Sequence, residues 1–120
     1  MTLPLTADML EACYEFLKTT PPFCDWNLHD GEDVKFRVGK QREKLAQYRW
    51  DGKQHEITMS GAAIGHTKTL IGAMAHEMIH MHLEETGIES RGNHATHNAA
   101  FRKFAAIVCK IHGFDPKAFY

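Results

Sequence analysis

A chain of 120 residues makes one domain, long enough for a single hydrophobic core. With 43% hydrophobic and 24% charged residues it has an ordinary globular composition, and no apolar run is long enough to span a bilayer, so a membrane partner is not expected. A net charge of −1, with both signs interspersed, gives no strong electrostatic case for nucleic-acid binding.

Met1 to Thr6 lacks a basic segment followed by a long apolar one, so no signal peptide is expected and a cytoplasmic location is. The cysteines are Cys13, Cys24 and Cys109, an odd number without a CxxC pair. That argues against a disulfide framework or a cysteine zinc site and for reduced, mostly buried thiols.

In chain order, Thr6 caps a first helix running to about Lys18, with Met9, Leu10, Cys13, Phe16 and Leu17 as its apolar stripe. Thr20-Pro21-Pro22 stops it. Phe23 to Leu28 reads as a short strand, and His29 to Asp33 as a turn whose acidic residues Asp30, Glu32 and Asp33 are solvated. Val34 to Val38 alternates apolar and polar, as a half-buried strand does. Leu45 to Trp50 is a second strand, Asp51-Gly52 a hairpin turn, and His55 to Ser60 a third strand, which together form an antiparallel meander.

Gly61 to Gly65 is a linker that lacks the ending of a phosphate-binding loop. Thr67 is the expected cap of a second helix that ends near Thr86, with Gly87 just beyond it. Ile88 to Thr96 is a polar loop. A last helix runs from about His97 to His112 with the stripe His97, Phe101, Phe104, Val108 and Ile111, and Gly113 ends it.

The second helix carries His76-Glu77-Met78-Ile79-His80. Helical geometry puts His76 and His80 one turn apart on one face, where two imidazoles can point at a single metal ion. Glu77, beside the first ligand, can reach a metal-bound water and act as general base. This is the HExxH pattern of zinc peptidases. Apolar flanks at helical spacing, Leu70, Ile71, Met74 and Met78, mark a buried helix, where histidines need a reason to be. The aromatic stripe of the last helix aims His97 at the same interior, which makes it the expected third ligand; His94, three residues earlier, competes. His82, two residues past His80, points away from the ligand face and is expected at the surface or behind the ligands.

Ala75-His76-Glu77-Met78-Ile79-His80, preceded by Thr69-Leu70 and a strand ending Ile57-Thr58-Met59-Ser60, resembles the SprT-like (Spartan-type) zinc metallopeptidases. In that family the third zinc histidine opens a helix in an H-G-x-x-F pattern, and His97-Asn98-Ala99-Ala100-Phe101 matches it except that Asn98 replaces the glycine. The resemblance covers about Val34 to Phe114. It implies zinc on His76, His80 and His97, and Glu77 as general base and acid. The third ligand would be histidine, unlike the glutamate of gluzincins. It also implies an α+β fold with a zincin-like core, in which a small antiparallel sheet packs on the HExxH helix with additional helices around it. Spartan-type proteins carry C-terminal regions, often a cysteine zinc ribbon, that help recruit DNA; no such cysteines stand here.

The leading functional expectation is therefore a zinc-dependent endopeptidase acting on a protein or peptide, with the oxyanion donor open among Tyr48, His66, His82 and Arg91. A metal-stabilised module that binds protein or DNA without turnover is the alternative, and a hydrolase of small amides a third reading. Lys35, Arg37, Lys40, Arg42 and Lys44 cluster near one strand and could contact DNA phosphates, but Glu43 interrupts them and a solvated edge is the expected reading.

Overall fold

The computed structural model of the chain describes residues 4–87 and 98–119. The described residues form four helices, α1 (Ala7–Lys18), α2 (Thr67–Glu85), α3 (Ala99–His112) and α4 (Pro116–Phe119), and a three-stranded sheet of β1 (Val34–Gly39), β2 (Ala46–Trp50) and β3 (His55–Ser60). No helix among the described residues is long and apolar enough to cross a membrane.

The fold is α+β as expected, but the sheet is mixed rather than an antiparallel meander. The strand order is β1-β3-β2, with β1 parallel and β2 antiparallel to β3. The tight turn at Asp51-Gly52 forces β2 and β3 to be neighbours. Gly52 takes φ 94°, and the Asp51 carboxylate accepts from the Lys53 and Gln54 amides at 2.8 Å each. The longer connection after β1 imposes no such pairing, so β2 lies on the far side of β3. Side chains explain who sits in the middle. β3 is buried on both faces from His55 to Ser60 except at Thr58, whereas β1 and β2 carry Lys35, Arg37 and Arg49, whose side chains are more than half exposed. The buried Glu56 of β3 is ringed by those three cations at 3.8–3.9 Å. Two of the five basic residues clustered near β1 thus face an internal carboxylate.

The α1 boundaries agree with expectation, with Thr6 accepting from the Met9 amide at 3.2 Å. Its buried stripe is Leu10, Tyr14 and Leu17; Phe16, expected inside, is 57% exposed. Tyr14 enters the core because its hydroxyl finds a partner, donating to the His29 carbonyl at 2.5 Å, while its ring packs edge-on against Phe36. Phe23 to Leu28 is not a strand. Phe23–Asp25 forms a 3₁₀ turn after the two prolines, a second one follows at Gly31–Asp33, and Trp26 turns inward onto Phe23. The α3 stripe is rotated from the expected one. Phe101, Ala105, Val108 and Cys109 are buried, and Ile111 is 49% exposed. Gly113, at φ 78°, closes α3 in the left-handed conformation that favours glycine. Phe119 of α4, an element with no counterpart in the sequence reading, is buried as well.

α2 lies at the centre, buried on nearly every side from Leu70 to Leu83. Thr67 is its first helical residue rather than its cap, and His66 stands at the cap position without a side-chain bond. Gly87 follows its end at φ 75°, as the sequence predicts.

Two outcomes check this packing. Tyr14→Phe leaves the His29 carbonyl without its donor and is expected to cost about 1–2 kcal/mol in urea unfolding. All three cysteines are free thiols, as expected; Cys24 is exposed, Cys109 is buried, and burial pushes the Cys13 thiol up to about 11. A thiol reagent at neutral pH is therefore expected to modify Cys24 rapidly, with Cys13 and Cys109 reacting only on unfolding.

Candidate active site

His76, Glu77 and His80 project from α2 into a cleft of about 1010 Å³. One wall is α2, from Lys68 to His80. The facing wall is β2, from Ala46 to Arg49, and the chain after α3 closes a third side with Phe114, Asp115, Ala118 and Phe119. Glu77 is 6% and His80 2% exposed, so the polar face of the motif is held in a largely apolar surround. The rings of His76 and His80 lie 5.2 Å apart by their centroids. Phe101 of α3 packs against both, at 4.8 Å from His76 and 4.6 Å from His80, where the rings stack at 26°.

One hydrogen bond sets the protonation of His76. Its Nδ1 lies 2.7 Å from the carbonyl oxygen of Phe119. A carbonyl can only accept, so Nδ1 carries the proton, and in the neutral ring the lone pair is then on Nε2. That tautomer is the form a metal-ligating histidine takes, and a backbone carbonyl on the other ring nitrogen is its usual support. The donor set present, two imidazoles one helical turn apart with a carboxylate next to the first, fits zinc.

The chain belongs to the SprT-like family. The family model matches residues 13–118, nearly the whole chain, from α1 through α4. A comparison with curated proteins gave no match.

His94, His97 and Arg91 lie outside the described residues. The departure from the H-G-x-x-F pattern nonetheless has a local reason. Asn98 is the N-cap of α3, and its side chain accepts from the Phe101 amide at 2.9 Å. Asparagine does here what it does best at a helix start, and it anchors the residue that packs on both histidines.

The remaining candidates separate cleanly. Tyr48 lines the cleft, and its hydroxyl lies 2.5 Å from His55 Nδ1. His66 is exposed at the start of α2, outside the cleft lining. His82 is half-buried and lies outside the cleft lining. It stacks on Trp26 at 4.1 Å and 9°, meets the edge of Phe104, and has a buried Nδ1 with no hydrogen-bond partner. Burial lowers its pKa from the ordinary histidine value. The acidic cluster Asp30, Glu32 and Asp33 is exposed, as expected of a solvated turn.

The sequence reading missed Phe119. Nothing in the pattern Asp115-Pro116-Lys117-Ala118-Phe119 marks its carbonyl as a histidine partner, because a backbone acceptor has no residue-type signature. Phe101 packs on both motif histidines, so Phe101→Ala is expected to cost about 3–5 kcal/mol in denaturant unfolding with metal chelated, and Phe101→Leu much less.

Proposed function

We propose that the protein is a zinc-dependent endopeptidase of the SprT-like type. The observation that carries this reading is the shared cleft. The HExxH face of α2 and the edge strand β2 line the same space, and the Phe119 carbonyl holds His76 in the ligand tautomer.

His76 and His80 would hold the metal through imidazole nitrogens, with His97 as the proposed third ligand. When bound, zinc supplies Lewis acidity toward a water and toward the scissile carbonyl. The Glu77 carboxylate accepts a proton from the attacking water and delivers it to the leaving amide nitrogen, which must be protonated to depart as an amine. Burial of Glu77 and His80 keeps bulk water from competing for these proton positions. β2 is an edge strand, with no strand on its outer side among the described residues. An extended peptide can add there as a further strand and run past Glu77, an arrangement that gives backbone recognition with little dependence on sequence. The substrate class that fits is an extended or unfolded segment of protein.

The test is zinc content measured beside cleavage of casein. Glu77→Gln is expected to retain zinc and lose at least about 100-fold in cleavage rate, the usual contribution of a general base. His80→Ala and His97→Ala are expected to lose zinc from this site and cleavage together, and His94→Ala neither. Zinc retained with no cleavage by the wild-type chain would assign a binding module instead, and full activity in Glu77→Gln would remove the mechanism.

A further inference from the structure

Away from the cleft, three side chains from three separate elements converge on one point. Glu85 is the last residue of α2, His55 the first of β3, and His29 lies in the connection between α1 and β1. Oε1 of Glu85 is 3.1 Å from His29 Nε2 and 3.2 Å from His55 Nε2, and the three atoms all lie within 4.8 Å of one another. We propose that His29, His55 and Glu85 form a second zinc site, separate from the HExxH cleft, that ties the C-terminal end of α2 to the sheet.

Geometry supports the assignment. Zinc holds nitrogen and oxygen ligands at about 2.0–2.1 Å in a tetrahedron, which puts neighbouring ligand atoms about 3.3 Å apart. Both Glu85–histidine separations already stand within ~0.2 Å of that edge. Only the two histidines need adjust, and the ring of His29, 52% exposed, is on the side free to move.

The supports behind the ligands are also in place. The His55 ring is almost wholly buried, with Trp50 at 4.6 Å by ring centroids and Tyr48 on its Nδ1. For Nε2 to offer a lone pair, Nδ1 must carry the proton, and the phenolic oxygen of Tyr48 can accept it. The backbone at His29 is fixed by the Tyr14 hydroxyl on its carbonyl. The position is electrostatically suited to a cation. It lies at the C-terminus of α2, where the helix dipole and the Glu85 carboxylate are both negative.

Two imidazoles and one carboxylate make three ligands and leave one position for water, on the exposed His29 side. The site belongs to the same helix as the HExxH motif, since Glu85 follows His80 by five residues, or about 7.5 Å of helix rise. None of the three side chains lines the cleft. Tyr48 touches both places, with its ring on the cleft and its hydroxyl on His55. The site does not depend on the peptidase reading.

The experiment is zinc stoichiometry by equilibrium dialysis of the full chain, with circular dichroism to verify folding. The probe is zinc chloride. His29→Ala and Glu85→Gln alter an exposed ring and a helix-terminal side chain, so both chains are expected to fold and to bind one zinc fewer than wild type. His80→Ala, which breaks the HExxH pair, is expected to retain one zinc, and His80→Ala with His29→Ala none. Zinc addition should raise the melting temperature of His80→Ala and not of the double variant. The difference of one zinc is read whatever the HExxH site contributes. Equal stoichiometry in wild type, His29→Ala and Glu85→Gln would overturn the proposal and leave a hydrogen-bonded histidine–carboxylate cluster.

Discussion

Helix α2 is apolar around nearly its whole circumference and must be covered on every side. The other elements are arranged by that requirement. The sheet takes one side, α1 and α3 take others, and α4 lays Phe119 against the remaining exposed turn near His76. Burying polar groups at the heart of such a helix is costly unless each has a partner. His76 has the Phe119 carbonyl, and both motif histidines have the face of Phe101. The candidate site is therefore continuous with the core rather than placed on top of it.

That continuity gives the site its rigidity. His76 and His80 are separated by one turn of a helix whose backbone cannot shift without disturbing the core. Asn98 caps α3 and thereby sets Phe101 against both rings. β2 runs opposite α2 along the cleft, and among the described residues its outer side carries no strand. At the far end of α2, the Glu85 cluster makes a second attachment between helix and sheet. The two polar clusters on α2 thus sit near its middle and at its C-terminus, where the dipole favours a cation.

Much of this was legible beforehand. HExxH is recognisable because two histidines one helical turn apart, with a glutamate beside the first, make a fixed spacing, and that spacing is local. The bounds of α1, the β2–β3 hairpin at Asp51-Gly52 and the close of α2 at Gly87 are equally local, set by caps and turns. The errors share a cause. Phe16 and Ile111 were placed inside because hydrophobicity alone ranks them, whereas Tyr14 and Cys109 took the buried positions once a hydroxyl partner or a close neighbour existed. Phe23 to Leu28 looks like a strand by composition, but no neighbouring strand accepts it.

The sequence by itself determined the family, the helix that bears His76, Glu77 and His80, and the strands and turns that are encoded within a few residues. Only the tertiary structure decided the parallel pairing of β1 with β3, the seating of His76 on the Phe119 carbonyl, the stacking of His82 on Trp26, and the meeting of His29, His55 and Glu85. These are contacts between segments far apart in the chain. No residue pattern within any one segment specifies its partner, because the choice is made by which surfaces remain to be buried once α2 is covered.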